Sequence, residues 1–321
     1  MFLSLIKLIF NYSLNYNMKK LITYLLIGFS GLTFYSCDKP GPTELIDDTI
    51  DNNAEYEVLG KDYNDEYYSN GFDTTGVSQD LRNLPNLISV SGIKVTDQNG
   101  NNEEFSYAQT VFFDNTKPVY DSNHRLLAYQ TIIPGTVKFD DMSARIIPYR
   151  IHFRENGVLK DTLLGNKYVL FSGRHGQGDQ FRYRHNSTVR FNISIFFGPN
   201  INFDIPTPME IGGTVGLLGS RDNNDLRALL QWNRGNTEKI TIIIAARLRD
   251  RQIMMPLYRV RTRDSGKLLV PARFINNIPF ERFDKLMFTF VRRFERTFNG
   301  AGGDGLLVSS QSIHNIIVNL P

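Results

Sequence analysis

From Leu87 onward, apolar and polar residues alternate, and turn formers break the alternation roughly every ten positions. Successive side chains of a strand point to opposite faces, so this period buries one face and wets the other. Val189-Arg190-Phe191-Asn192-Ile193-Ser194-Ile195 is the cleanest example. Val90, Gly92 and Lys94 alternate with Ser91, Ile93 and Val95, and Asp97-Gln98-Asn99-Gly100 then supplies a hairpin turn. The next strand leads from Phe105 through Tyr107 and Gln109 to near Phe113, and others are expected over Leu126 to Phe139, Arg145 to Glu155 and Lys167 to Phe171. Regularly spaced short strands without intervening helices argue for an all-β chain built as a β-sandwich. The 15 Tyr and 23 Phe against one Trp suit strands, and a hydrophobic content of 41% excludes a disordered chain.

Gly198-Pro199-Asn200 and Pro206-Thr207-Pro208 punctuate the chain, and the alternation restarts after them. Two consecutive β-sandwich domains are therefore expected, over 85–205 and 206–321. Strands of the second are predicted over Ala228 to Trp232, Lys239 to Leu248, Gln252 to Thr262, Lys267 to Val270, Lys285 to Arg293 and Ile313 to Leu320. A short helix is predicted over Pro271 to Asn277, with proline in its first turn, and a helical turn after Asp222-Asn223-Asn224-Asp225.

Trp232-Asn233-Arg234-Gly235, the strand from Lys239 to Ala245, the run Asp264-Ser265-Gly266-Lys267-Leu268-Leu269-Val270-Pro271-Ala272 and the closing strand Leu286 to Arg293 form one spaced set. That set resembles an immunoglobulin-like module of the kind common in Bacteroidota-type surface lipoproteins. The resemblance implies tandem immunoglobulin-like sandwiches. No cysteine pair is present to supply the inter-sheet disulfide of antibody domains. A shared fold of this sort does not carry a function with it.

The chain has one cysteine, Cys37, and it ends a signal-like segment. Met18-Lys19-Lys20 is a short basic start, Leu21 to Phe34 is apolar, and Ser36-Cys37 is followed by the polar Asp38-Lys39-Pro40-Gly41-Pro42. This order resembles a bacterial lipoprotein signal over 18–36, and the resemblance implies that Cys37 is acylated and opens the mature protein at the outer membrane of the cell envelope. Alternative readings are a cleaved signal leaving an incidental cysteine, or an uncleaved anchor. The apolar run is shorter than the ~20 residues a spanning helix needs. Residues 1–17 read as an extension before the true start at Met18, or as a longer n-region. Segment 37–84 reads as an acidic tether: from Asp38 to Asp80, Asp47, Asp48, Asp51, Glu55, Glu57, Asp62, Asp65 and Glu66 face only Lys39 and Lys61. Tyr56, Tyr63, Tyr67 and Tyr68 are more than a spacer requires, and would dock part of it on a domain.

The most site-like stretch is the glycine-rich loop Ser172 to Gln180, carrying Arg174, His175 and Asp179, with His185 close behind. It lacks the ending of a phosphate loop and matches no zinc spacing, so a hairpin loop accounts for it. Asp97 to Glu103 lacks the twelfth-position acid of a calcium loop. No Gly-x-Ser-x-Gly elbow occurs, His124, His152 and His314 share no motif, and the net charge of +3 does not call for nucleic acid. No catalytic residue, metal or cofactor is assigned. Asp48-Thr49-Ile50, Asp73-Thr74-Thr75 and Asp161-Thr162-Leu163 resemble the short O-glycosylation motif of exported Bacteroidota proteins.

Arginines concentrate in the second half. Arg259, Arg261 and Arg263 alternate along one strand opposite Tyr258 and Val260, and Arg247 and Arg249 lie on the strand before. Such a face would hold an anionic glycan or an envelope protein, or be neutralised by local carboxylates or the acidic tether. These features place the chain as a non-enzymatic binding or structural lipoprotein; the competing class is a secreted carbohydrate-active hydrolase with a carboxylate pair that leaves no sequence signature.

Overall fold

The computed structural model describes residues 54–59, 68–69, 86–124, 126–155, 158–173, 180–249, 254–279, 281–299 and 305–320. Cys37, the signal segment, Arg174, His175, Asp179 and the motifs at Asp48 and Asp73 lie outside them. The described chain is nearly all strand. In the first half these are β1 (Glu55–Val58), β2 (Tyr68–Ser69), β3 (Asn86–Thr96), β4 (Asn102–Tyr120), β5 (Leu126–Ile132), β6 (Gly135–Phe139), β7 (Met142–Ser143), β8 (Arg145–Glu155), β9 (Val158–Ser172), β10 (Thr188–Ile195) and β11 (Asn200–Pro206). Then follow β12 (Gly213–Leu218), β13 (Arg227–Trp232), β14 (Lys239–Leu248), β15 (Met254–Arg263), β16 (Lys267–Val270), the short helix α1 (Ala272–Asn276), β17 (Phe283–Asn299) and β18 (Gly305–Asn319). No helix among the described residues is long and apolar enough to cross a membrane.

Three sheets result. The large one has 11 strands in the order β1-β15-β14-β17-β18-β3-β4-β9-β8-β2, with β5 added to the far part of β4. Two smaller sheets, β11-β10-β6-β7 and β12-β13-β16, complete a sandwich-like arrangement. Each small sheet buries its own core against the large one. Val137, Phe139, Val189 and Phe191 meet Ile88, Val90, Ala108, Tyr168 and Val308. Leu230, Trp232, Leu268 and Val270, with Phe274 and Ile275 of α1, meet Ile242, Ile244, Phe288, Phe290 and Ile316. Burying each such side chain contributes roughly 1.5–3 kcal/mol.

Val308 and Ile316 share one face of β18 yet belong to different cores, so both small sheets cover the same face of the large sheet. Between them that face of β18 is polar. Ser310 Oγ lies 2.9 Å from Tyr183 Oη, Ser312 Oγ accepts from the Ile211 N–H at 2.9 Å, and His314 Nδ1 accepts from the Gly213 N–H at 2.8 Å. The segments entering and leaving the predicted boundary are thus pinned to the last strand. A glycine at 92 permits the approach, since a Cβ there would lie 2.5 Å from Tyr183.

β18 pairs with β3 in parallel, while the other pairings among the described strands are antiparallel. The large sheet consequently draws β3, β4, β5, β8 and β9 from before Pro206 and β14, β15, β17 and β18 from after it. Each small sheet belongs to one half, and the large sheet to both.

This sheet is curled. Ten strands in file leave nine intervals between β1 and β2, or about 43 Å in a flat sheet at ~4.8 Å each. Val58 and Tyr68 are joined by ten residue steps, which reach at most about 36 Å. The edges must therefore bend toward each other. Leu59 packs with Ile93, Phe105, Ile243, Val291 and Ile313 on the face opposite the small sheets, which is the inside of the curl.

The hairpin predicted at Asp97 is present: Gly100 has φ 81° and its N–H reaches Asp97 O at 3.0 Å, while Asp97 Oδ1 accepts from Asn99 and Asn101. The strand expected over Leu126 to Phe139 is instead two, β5 in the large sheet and β6 in a small one. Pro134 lies at the crossing, where it lacks the N–H that a continuing ladder would need. Within the segment expected as a tether, β1 pairs with β15 and β2 with β8. Tyr56 stacks on Phe274 with centroids 4.3 Å apart and planes 7° from parallel.

Candidate functional site

A belt of polar side chains crosses five neighbouring strands on the concave face of the large sheet. Gln311 of β18 is in register with Arg293 of β17 and Ser91 of β3, and Ser91 with Tyr107 of β4. One step along, Ser309 lies between Glu295 and Ser89, and Ser89 pairs with Gln109. Residues paired in register project from the same face, so these side chains share one surface. Apolar clusters bound the belt on either side, one containing Ile93, Phe105 and Ile313, the other Leu87, Val111, Tyr149 and Ile151.

Inside the belt Tyr107 Oη donates to Gln109 Oε1 at 2.9 Å, and Lys167 Nζ of β9 donates to the same oxygen at 3.0 Å. Gln311 Nε2 donates to Ser309 Oγ at 3.2 Å. Arg293 Nη1 stands 2.8 Å from Glu295 Oε1 at the margin nearest solvent. Ser91 Oγ and Gln311 Oε1 are buried and, among the described residues, accept and donate nothing. An unsatisfied buried polar group costs about 1–3 kcal/mol.

Burial pushes the Lys167 amine down to about 8, and its nitrogen lies 5.2 Å from the centroid of the Tyr149 ring. Burial pushes the Tyr107 phenol upward, which keeps it a neutral donor. The set is therefore mostly uncharged hydrogen-bonding groups with one easily titrated amine. It can align a hydroxyl- or amide-bearing molecule. Among the described residues, no three His, Cys, Asp or Glu side chains stand close enough to hold a metal ion.

The arginines singled out by alternation are arranged differently. Tyr258 and Val260 pack on the core of the second half, while Arg259 projects from the other face of β15. Arg259 Nη1 meets Glu57 Oε2 of β1 at 2.9 Å. Arg247 grips Asp284 through Nε and Nη2, and this bond holds the Asp284 carboxyl below its ordinary range. Arg249 Nε donates to Phe283 O at 3.1 Å. Arg261 lies opposite Glu55, and Arg263 is exposed at the strand end opposite Lys239. Arg247 and Arg259 thus meet carboxylates of the chain itself, that of Arg259 coming from the acidic segment.

His185 is placed away from the polar belt, edge-on to Tyr183 with centroids 5.0 Å apart, and burial lowers its basicity. His124 sits at φ 57° in an exposed turn. The motifs around Trp232 and Asp264 converge on β17. Arg292 Nε and Nη2 reach the Asp264 carboxylate at 3.0 and 2.9 Å, and Asp264 also accepts from Trp232 Nε1 at 2.8 Å and the Gly235 N–H at 3.1 Å. Arg292 donates further to Glu210 O and Asn233 O. Gly235 leaves room for the guanidinium, which any Cβ there would strike.

Sequence reasoning passed over Ser91, Gln109, Lys167, Ser309 and Gln311, because each reads as the wet half of an alternating strand. One signal was present: Ser309-Ser310-Gln311-Ser312 puts polar residues on both faces of a strand flanked by apolar runs. The chain matches no family model, and no curated protein matches it.

Proposed function

We propose that this chain is a cell-envelope lipoprotein, held at the outer membrane through acylated Cys37, whose folded part is a non-enzymatic binding module for a hydroxyl-rich ligand such as a glycan. The observation that carries the binding role is the pair Ser91 Oγ and Gln311 Oε1, buried on adjacent strands in register and unsatisfied among the described residues. A sugar hydroxyl both donates and accepts, so it suits an amide oxygen beside a serine hydroxyl. Lys167 and Arg293 bring positive charge and Glu295 offsets part of it, which favours a neutral or acidic saccharide over a basic one. The anchor reading rests on the order of basic, apolar, cysteine and polar residues around Cys37. The finer fold reading, two immunoglobulin-like sandwiches, is supported by the separate core under each small sheet; the two would be fused through the β18–β3 pairing.

Calorimetric titration with a panel of neutral and uronic-acid-bearing oligosaccharides tests the binding role. Gln311→Leu should weaken the best saccharide at least tenfold, by removing an acceptor whose loss leaves a ligand donor unpaired. A Gln311→Leu protein that is more stable, with saccharide binding unchanged or absent in both forms, would show the belt to be only a polar core.

A further inference from the structure

The β10–β11 hairpin ends in Phe196-Phe197-Gly198-Pro199, and its apolar side chains face solvent. Phe196 is 60% exposed, Phe197 is fully exposed, and Ile201 beside them and Ile132 at the end of β5 are over 40% exposed. From Phe191 to Phe203 the chain carries no charge, and Asn, Ser and Gly fill the positions between the apolar residues. Scattered surface hydrophobes need no explanation, but two adjacent phenylalanines on an uncharged projecting turn form a concentrated apolar tip.

Strand registers show where the tip lies. Tyr168 Oη donates to Gly135 O at 2.6 Å, and Tyr168 is in line with Thr110, Ile88 and Val308. Gly135 pairs with Ile195, and the Phe196 N–H bonds Pro134 O at 3.0 Å. Ile132 lines up with Phe112, Asn86 and Leu306. The tip therefore projects from the end of the molecule where β17 and β18 finish and start, at Phe298 and Leu306. Glu55 pairs with Arg261, which continues through Thr241 and Val291 to Ile313, the middle of β18, and Val58 lies level with Ile316, so β1 starts on the side nearer Phe298 and Leu306. Cys37 precedes Ala54 by 17 residues, a reach of at most about 60 Å.

The geometry points to a second membrane contact: Phe196 and Phe197 enter the lipid interface beside the acylated cysteine. This rests on the lipoprotein reading for the anchor, and on the structure for the tip. Aromatic side chains favour the boundary between head groups and acyl chains, and a lipid at the end of a long tether leaves the folded part free to turn, so a second apolar contact fixes its orientation. The polar belt and the small sheets are then carried in a set posture above the bilayer.

The test uses the full acylated chain in vesicles of phosphatidylethanolamine and phosphatidylglycerol, with and without brominated acyl chains. Phe197→Trp reports the tip. Leu218→Trp reports the opposite end, where Arg221 pairs with Glu281 just before β17 begins. Trp232 is common to both and buried. The expected result is at least twofold quenching of the added tryptophan at 197 and none at 218. Absence of quenching at both positions, or equal quenching at both, overturns the proposal. So does loss of self-association in a Phe197→Ser chain without any quenching at 197, which would assign the tip to a second copy. Incorporation of labelled fatty acid is scored in parallel. Labelled chains without quenching at 197 sink the tip contact alone, and quenching at 197 without label sinks the lipoprotein reading alone.

Discussion

Arg292 and Asp264 form an ion pair closed to water, with side chains 0% and 3% exposed. Two charges in such a place are tolerable only because every remaining donor and acceptor is met: Met209 O and Glu210 O take Nη1, Asn233 O takes Nη2, and Trp232, Gly235 and Thr237 donate to the carboxylate. The pair ties the sheet of the second half to the segment that leaves the first.

Removing one partner leaves the other buried and uncompensated. Asp264→Ala should therefore cost about 3–5 kcal/mol, read as a lower urea midpoint at unchanged m-value. Gly235→Ala should also destabilise, because its methyl would displace the guanidinium. A change below about 0.5 kcal/mol in either variant would contradict this role.

His314 makes stability depend on acid. Its Nδ1 accepts from the Gly213 N–H, so the neutral ring carries its proton on Nε2 and donates to Thr96 Oγ1 at 2.7 Å, which donates to Asn102 Oδ1 at 2.6 Å. Burial, with Lys94 nearby, pushes the imidazole down to about 4. The unfolded chain takes up this proton near 6.5, so stability is complete above that pH and falls as pH drops through 4, by about 3 kcal/mol in all. Denaturation midpoints measured across this range should decline in the native chain. In His314→Gln the decline should shrink, leaving the smaller share of His185.

Lys167 acts at the alkaline side. Its folded value of about 8 lies below the ordinary 10.5 of lysine, so between these limits the unfolded chain holds the extra proton. Stability should rise with pH through that window, by up to about 3 kcal/mol. Above about 10 the rise should be opposed by Tyr107 and Tyr183, whose phenols burial pushes upward. Lys167→Met should flatten the profile between 8 and 10, and a profile identical to that of the native chain would place the amine in water.

Tyr56 on Phe274 holds β1 against β15. Tyr56→Ala removes the stack and most of the apolar contact of a four-residue edge strand, a loss of about 2–4 kcal/mol. Hydrogen exchange should accelerate at the β15 amides that face β1 while the β14–β17 amides stay protected. Uniform acceleration through the sheet would show that β1 is not a separate unit.

Strands and tight turns were legible from residue order because they are local. Asn99-Gly100 writes a turn whatever surrounds it, and the alternation of Tyr258, Arg259 and Val260 assigns faces within one strand. The grouping of Trp232, Gly235 and Asp264 was visible as a set of motifs, but its centre was not, since Arg292 reads as one more strand arginine. The polar belt was illegible for a related reason. Alternation says that Ser91 and Gln109 point away from the first core, and only the curl of the sheet decides that this other side is buried. The break at Pro134 shows the same limit, because the residue signals an interruption without saying that the chain changes sheets.

The place of β18 between β17 and β3 bears on how the molecule is made. Until residues 305–319 have been synthesised, β3 has an open edge and Ile88, Val90 and Ala108 lack the Val308 side of their core. The first half thus emerges with a hydrophobic strand edge exposed, the condition that invites pairing with another chain. Contacts between residue 86 and residue 306 also belong to the slow, long-range class. A first half that folded ahead of the rest would therefore keep this edge open until the last strand arrived.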